Sequence, residues 1–477
     1  MKFAMPNLLK VTVVLFISAT FTATSQPAET PPSQPPAISA ERFQELEKAV
    51  QAIQRQNQEL RQENGQLRNR VEQLEHQQPA VQQTATSSTN APTAEAKPNF
   101  VLPWGKEAKL KLGGFIQANA EGGDVASSEG RLADGPNAVN NRFRLRRARI
   151  GVSGEFLEHF DFKLEGDFEQ NDGTTGGRTG FSGTDIFVNW NRLPEANVKV
   201  GQFKAPFGLE MTTPDTTLFM AERTLVTGAI TPERQIGVQL WGKPLANLWP
   251  DKKDLLNYSV GMFNGNGRNT TVNDDNEFMY AGRVELTPWV GKLLQQDARL
   301  KFGFNGLYSR DAANVNLSQT GNLRLQPDGS LLPFNNHNAD ERTAWGADLS
   351  FTLGDFDLIA EYLHEQIRPD GTAMLVTPAS GLGTVGEFTT QGYYVQGSYH
   401  FWKKKLQLVG QWQSFDPGQA ANDDIYSATV GLNYYIKGND IKLMLDYIHT
   451  WSDFRRNNPG LGQAEFNQVL ARMQLMF

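Results

Sequence analysis

From about residue 109 to the C-terminus, hydrophobic and polar residues alternate with a period of two. This period places apolar side chains on one face of a β-strand and polar side chains on the other. About 16 such segments begin near residues 109, 142, 160, 184, 197, 234, 255, 277, 298, 342, 356, 388, 404, 424, 441 and 464. Because the number is even and each segment is about 10 residues long, the pattern predicts an all-β fold, a transmembrane antiparallel β-barrel over residues 105–477.

The connections between these segments alternate in length. Short connections include residues 157–160, 193–197, 402–404 and 437–440, whereas long ones include residues 311–341, 367–387 and 453–463. In bacterial barrels the short turns face the periplasm and the long loops face outward. Alternate residues from Val469 to Phe477 are apolar. The last strand is therefore expected to face lipid and to pair with the first, since a free edge would expose backbone polar groups to lipid.

A different period occurs nearer the N-terminus. Spacings of three and four residues alternate through Phe43, Leu46, Val50, Ile53, Asn57, Leu60, Asn64, Leu67, Val71 and Leu74. This heptad predicts a short α-helical coiled coil over residues 41–77. Asn57 and Asn64 occupy a positions, where a buried amide sets the register of the neighbouring chains. The alternative is a single surface helix packed on its own barrel.

The first residues predict export from the cytoplasm. Lys2 and Lys10 flank a short n-region, the apolar stretch that follows is too short to span a bilayer, and Ala23 to Ser25 offer small residues for cleavage. Residues 1–25 are therefore predicted to be a signal peptide. A Pro-rich spacer over residues 26–40 and a linker over residues 78–104 flank the coiled coil. We expect the coiled coil in the periplasm and the barrel in a Gram-negative outer membrane.

Composition excludes several other functions. The chain of 477 residues has no Cys, which excludes disulfides, zinc thiolate sites, iron–sulfur clusters and thiol nucleophiles. Its net charge of -7 argues against a nucleic-acid partner. A mean hydropathy of -0.46 argues against a helical membrane protein but fits a barrel, whose strands alternate. Because the six His show no catalytic spacing, we predict no enzyme activity, no metal site and no cofactor.

One long segment interrupts the alternation after the fifth predicted strand. Residues 205–234 contain Pro206, Gly208, Pro214, Gly228 and Pro232 and show little period of two. A barrel of about 16 strands is too wide for side chains to fill, so it leaves an aqueous channel unless a loop narrows it. We expect this segment to fold inward, and its removal to raise single-channel conductance.

Four sequence motifs resemble, in order, the phosphate-selective porin O and P family. They are Asn141-Arg-Phe-Arg-Leu-Arg-Arg-Ala-Arg-Ile-Gly151, Val200-Gly-Gln-Phe-Lys-Ala-Pro-Phe-Gly-Leu-Glu210, Thr231-Pro-Glu-Arg-Gln-Ile-Gly-Val-Gln239 and Tyr280-Ala-Gly-Arg283. The resemblance covers roughly residues 105–477. It implies a trimeric outer-membrane channel for phosphate or polyphosphate, in which arginines and lysines guide the anion to a narrow zone. Lys204 is the candidate for the central lysine cluster of the family.

Basic residues on the predicted inner face suggest an anion pathway. Strand parity directs Arg147 and Arg149 into the lumen, with Arg142 and Arg144 before them at the external mouth. The predicted pathway consists of Arg142, Arg144, Arg147, Arg149, Lys199, Lys204, Arg223, Arg234 and Arg283. Guanidinium groups suit phosphate oxygens, and fixed positive charges lower the barrier for anions. Carboxylates point inward by the same parity, so pairing of acids with bases in the wall stays open as the alternative.

The sequence therefore predicts a homotrimeric porin, surrounded by outer-membrane lipid, for diffusion of small anions such as phosphate or polyphosphate. A general or cation-preferring porin would use the same fold. A third alternative is a structural tether, in which the barrel is an anchor and residues 26–99 reach peptidoglycan.

Overall fold

The computed structural model describes residues 100–103, 109–124, 132, 141–168, 180–273, 276–311, 323–325, 329–333, 340–369, 373–377, 381–385, 387–402 and 404–477. The chain divides into two units, residues 1–92 and 93–477, and the first lies outside this description. The predicted signal peptide, spacer and coiled coil with Asn57 and Asn64 therefore stay predictions. Among the described residues, no helix is long and apolar enough to cross a membrane.

The described strands follow the alternation of the sequence closely. In chain order they are β1 (Phe100–Pro103), β2 (Lys109–Gly123), β3 (Arg142–Phe156), β4 (Phe160–Asp167), β5 (Ser182–Leu193), β6 (Ala196–Lys204), β7 (Arg234–Gly242), β8 (Leu256–Phe263), β9 (Met279–Leu293), β10 (Gln296–Asp311), β11 (Leu323–Leu325), β12 (Leu331–Pro333), β13 (Asp340–Leu353), β14 (Phe356–Pro369), β15 (Ala373–Thr377), β16 (Gly381–Val385), β17 (Phe388–Phe401), β18 (Leu406–Asp416), β19 (Ile425–Lys437), β20 (Ile441–Ser452) and β21 (Glu465–Met476).

Sixteen of these strands form one closed antiparallel barrel: β2 to β10, β13, β14 and β17 to β21. The barrel closes because β2 pairs with β21, from Phe115 opposite Met476 to Gly123 opposite Gln468. β1 continues the pairing beside residues 109–112 of β2, while β11–β12 and β15–β16 are separate hairpins. Each barrel strand begins within two residues of its predicted start. The predicted fold class is confirmed for the barrel.

The outer face of the barrel is apolar and the inner face is polar. In β19, Val430 and Leu432 are exposed, whereas Thr429 and Asn433 on either side of them are buried. Exposed apolar side chains continue this outer band on the neighbouring strands, as at Leu445 on β20. Such a band on a barrel wall is the surface that faces lipid.

A β-bulge in β3 changes which of its arginines point inward. Gln117 pairs with Arg147 and the next residue of β2 pairs with Leu145, so Arg146 is an extra residue. Such a residue shifts the alternation of side chains by one position. Phe143 and Leu145 consequently face outward. Five arginines of this strand therefore share the inner face: Arg142, Arg144, Arg146, Arg147 and Arg149. Without the bulge, strict alternation would have divided them between the inner and outer faces.

The connection between β6 and β7, residues 205–233, lies inside the barrel and is called the inserted loop here. It contains the short helices α1 (Leu209–Thr212) and α2 (Leu225–Ile230). Its backbone contacts inner-face side chains on opposite parts of the wall, such as Glu361 on β14 and Asp446 on β20. The prediction that this segment folds inward is therefore confirmed.

The hydrophobic core lies within the barrel rather than between two layers. α2 contributes Val226, Ala229 and Ile230 to a cluster with apolar inner-face residues such as Leu363 and Phe415. Residues from the long connections complete this cluster: Leu132, Leu325, Leu331, Phe454 and Leu461. Phe454 belongs to a third helix, α3 (Asp453–Asn457), between β20 and β21. This packing fills part of the lumen on the side of the long connections.

The outward face of β19 generates a test of lipid exposure. We expect Val430→Arg to lower the free energy of unfolding in lipid vesicles by about 2–4 kcal/mol, because the charge would lie in hydrocarbon. Denaturant titration of vesicle-embedded protein measures this change. Val430→Leu is the control and is expected to be nearly neutral; an equally small effect of arginine would contradict a lipid-facing Val430.

Candidate functional site

Inner-face side chains hold one part of the inserted loop to the wall by its backbone. Gln474 donates to the carbonyl of Thr216 at 3.0 Å, and Lys442 donates to that of Leu218 at 2.9 Å. Further bonds join Asn433 to the Phe219 carbonyl, Asp446 to the Ala221 amide and Arg472 to the Ala221 carbonyl. Because these contacts bind main-chain atoms, they fix the path of the loop independently of its side chains.

Asp215, in the inserted loop, is shared by three arginines. Its carboxylate lies 2.5 Å from Arg149 Nη1, 2.5 Å from Arg223 Nη1 and 3.5 Å from Arg147 Nη2. Burial would raise the pKa of Asp215, but these cations and Lys204 outweigh burial and hold the pKa well below its ordinary value. Asp215 is therefore ionised at neutral pH and joins the loop to β3.

Glu222 forms a second charged anchor of the same kind. Its Oε1 lies 2.9 Å from Arg146 Nε and also pairs with Arg472 of β21. Burial opposes ionisation here too, yet Arg146 and Arg472 keep the pKa of Glu222 below its ordinary value. The extra residue of the β3 bulge thus supplies an anchor for the loop.

The beginning of the inserted loop is bound to the opposite part of the wall. Asn305 Oδ1 accepts from the Gly208 amide at 3.2 Å, and the two oxygens of Glu361 accept from the amides of Leu209 and Glu210 at 2.6 and 3.1 Å. Gly208 has a φ of 82°, a conformation that strains other residues. Since this part and residues 216–221 are bound to different strands, the loop crosses the lumen.

Three cavities border the inserted loop, and their linings contain more bases than acids. The first, of about 450 Å³, is lined by Lys111, Arg149, Lys163, Lys204 and Arg234 against Glu165, Asp185 and Asp215. The second, of about 370 Å³, has Lys199, Lys204 and Arg283 against Asp185 and Glu285. The third, of about 290 Å³, has Arg299 and Lys301 against Glu210. Some of these bases also pair with carboxylates outside the lining of their cavity: Arg149 with Asp167, Arg283 with Asp348 and Lys301 with Glu285.

Four of the nine predicted pathway residues are brought together around one carboxylate. Arg147, Arg149 and Arg223 contact Asp215, and the positive charge of Lys204 also acts on it. The ammonium of Lys204 donates to the carbonyls of Met211 and Thr213 at 2.7 and 3.0 Å. These four side chains therefore hold the loop as well as adding charge.

The other predicted residues lie apart from this cluster. Arg142 pairs with Glu121 at 2.7 Å, Arg234 pairs with Asp185 at 2.7 Å, and Arg283 pairs with Asp348 at 2.6 Å. Arg144 lies on the inner face of β3. Lys199 lies among aromatic rings in the second cavity. The alternative of acid–base pairing in the wall thus applies to Arg142, Arg234 and Arg283, and also to Arg149, which pairs with Asp167 of β4 at 2.8 Å.

Sequence reasoning did not single out the acids on which the loop depends. Asp215 and Glu222 lie in a segment without strand period, and the one available signal is their place in a loop expected to fold inward. Glu361 lies on a strand of clear alternation, but its contact with α1 joins positions far apart in the chain.

A closed barrel of sixteen strands, with cavities beside a loop that crosses its lumen, defines the class of channel-forming outer-membrane proteins. The chain belongs to the phosphate-selective porin O and P family, whose model matches residues 121–477. The family match and the barrel fold support an outer-membrane porin and point to a channel.

Solved structures of outer-membrane proteins are similar to this chain at low sequence identity. A loop L8 deletion mutant of OmpT from Vibrio cholerae aligns with a TM-score of 0.51 and 10% identity, over 78% of this chain and 100% of that one. An anion-selective porin from Comamonas acidovorans aligns with a TM-score of 0.49 and 14% identity, over 78% of this chain and 100% of that one. The outer membrane channel DcaP of Acinetobacter baumannii aligns with a TM-score of 0.47 and 15% identity, over 78% of this chain and 98% of that one. A comparison with curated protein sequences found no match.

The Asp215 anchor predicts a pH-dependent contribution to stability. Asp215→Asn should lower the free energy of unfolding by about 3–5 kcal/mol at pH 7, because buried guanidinium groups lose their counter-charge. The folded-state pKa is depressed, so the contribution is present above the unfolded pKa of about 4 and is lost as pH falls through the folded value. Denaturant titration at pH 7 and in strong acid should therefore give a difference that shrinks in acid.

The matched control for this variant is Asp254→Asn. Asp254 pairs with Lys243 at 2.5 Å, but about half of each side chain is exposed. Loss of this exposed ion pair should lower the free energy of unfolding by less than about 1 kcal/mol. Equal effects of the two variants would show that Asp215 is not a buried anchor.

Proposed function

We propose that the barrel conducts small anions, phosphate among them, along an aqueous path beside the inserted loop. The observation that carries this proposal is the excess of bases over carboxylates in the three cavities that border the loop. Fixed positive charges at close quarters lower the barrier for anions and raise it for cations. Membership of a family described as phosphate-selective agrees with this function.

The bases fall into two groups with different roles in this proposal. Those that contact Asp215 or Glu222 chiefly hold the loop, and their charge is partly neutralised. Among the described residues, Lys199 and Arg299 have no carboxylate within ion-pair distance, although both line cavities. An anion that passes these two side chains meets a charge that no wall carboxylate neutralises directly. They are our candidates for selectivity, in addition to the arginines of β3.

The homotrimer and the periplasmic coiled coil belong to the proposal as well. Both are expectations from the sequence and the family resemblance, and the heptad allows two or three helices. Sedimentation of the purified protein in detergent measures the number of chains in the assembly.

The decisive experiment is the zero-current potential of the purified protein in a planar bilayer under a potassium chloride gradient. We expect the sign of an anion-selective channel, and we expect added phosphate to reduce the chloride current at low concentration. A potential of the opposite sign would favour the cation-preferring alternative and would overturn the proposal.

Neutralising Arg299 should weaken this selectivity. We expect Arg299→Gln to lower the ratio of anion to cation permeability by about two- to fivefold, as one charge near a wet path is worth about 1 kcal/mol. The zero-current potential measures the ratio. Lys404→Gln is the control, because Lys404 is exposed in a short turn beside Asp355; a comparable change in both variants would exclude a local role for Arg299.

The inserted loop should limit conductance where Phe219 meets the third cavity. Phe219→Ala removes bulk from the lumen while leaving the bond from Asn433 to the Phe219 carbonyl available. We therefore expect higher single-channel conductance. Phe401→Ala, on an exposed ring at the end of β17, is the control; unchanged conductance in Phe219→Ala would count against a constriction at this point.

A further inference from the structure

The second cavity contains a lysine surrounded by aromatic rings. Lys199 Nζ lies 4.8 Å from the ring centroid of Phe187, 5.2 Å from that of Phe203 and 5.5 Å from that of Trp241. Among the described residues, none accepts a hydrogen bond from this ammonium. Ring faces attract a cation but leave its N–H donors without acceptors. An anion that enters the cavity can therefore accept hydrogen bonds that the wall does not supply.

The rings beside this lysine are held in place. Trp241 Nε1 donates to Asn189 Oδ1 at 2.9 Å, and Phe203 packs edge-on against Phe187 with centroids 6.2 Å apart. Tyr258, which also lines the cavity, donates to the Glu195 carbonyl at 2.8 Å. A rigid apolar wall needs no ordering when a ligand binds, so flat apolar surface of a ligand can be covered at low entropic cost.

The remaining lining is polar and includes an unused acceptor. Asn257 Oδ1 is buried and, within the described residues, has no hydrogen-bond donor. Gln239 and Ser259 line the same cavity. A buried acceptor without a partner is costly and is satisfied by a ligand that donates. A ligand with hydroxyl groups meets this need, whereas inorganic phosphate at neutral pH offers few donors.

We propose that this cavity is a binding site for a sugar monophosphate, with the phosphate on Lys199, one face of the sugar on Trp241 and a sugar hydroxyl donating to Asn257. The site rests on the proposed anion function and narrows its substrate class. Asp185 and Glu285 in the same lining disfavour a second anionic group but accept from hydroxyls. The volume of about 370 Å³ lies in the range of small-ligand sites.

The experiment compares three probes on the full-length protein in planar bilayers: glucose 6-phosphate, inorganic phosphate and glucose. The measured quantity is the concentration of each probe that halves the chloride current. We expect glucose 6-phosphate to act at a concentration about tenfold lower than inorganic phosphate, because stacking and one or two hydrogen bonds add to the ion pair. Glucose lacks the phosphate charge, so we expect its half-blocking concentration to be higher than that of either anion.

Variants separate the parts of the site. Trp241→Leu and Asn257→Leu should each raise the half-blocking concentration of glucose 6-phosphate more than that of inorganic phosphate, so that the two values converge. Lys199→Gln should raise both values. Matched controls come from a similar pair outside the barrel strands, where Lys252 Nζ lies 4.3 Å from the ring centroid of Trp249. Trp249→Leu and Lys252→Gln should leave the half-blocking concentrations of all three probes unchanged.

The outcomes distinguish this inference from the function on which it rests. Equal half-blocking concentrations for glucose 6-phosphate and phosphate, in a channel that prefers anions, would overturn the sugar-phosphate site and leave the anion function standing. A cation-preferring channel that neither probe blocks would overturn both. If Trp241→Leu fails to form channels, Asn257→Leu still tests the sugar contact, and an unchanged probe preference in that variant would count against the site.

Discussion

The structure depends on pairing buried carboxylates of the inserted loop with arginines of the barrel wall. Asp215 is buried and Glu222 is largely buried, and each is ionised because it lies between guanidinium groups. A buried carboxylate without such partners would be strongly unfavourable, so the loop is stable only where those arginines are. The pairing therefore decides where the loop crosses the lumen and where the three cavities open.

The same pairing divides the basic residues of the lumen by role. Arg146, Arg147 and Arg149 belong to the motif that resembles the family, yet each contacts a carboxylate of the loop. Their positive charge is shared between holding the loop and attracting solutes. Lys199 and Arg299 lie in cavities without such a contact, so a change at either side chain alters the local charge without releasing the loop.

Hydrophobic packing narrows the lumen on the side of the long connections. α2 contacts apolar residues of the inner face together with residues from those connections, including Leu132 and Leu331. Water and ions have no place within such a core, since apolar interiors are close-packed. The arginine-rich inner face of β3 lies outside this cluster and contacts the loop through ion pairs instead.

Local sequence determined the barrel, because alternation depends only on which face of a strand meets lipid. The starts of the strands, the inward loop and the lumenal position of Arg147 all followed from that period. The bulge at Arg146 did not, since one extra residue in a strand becomes visible only through its partner strand. The anchors of the loop also required the tertiary structure: Asp215, Glu222 and Glu361 acquire their partners from strands distant in sequence, and the pairs exist only once the barrel has closed around the loop.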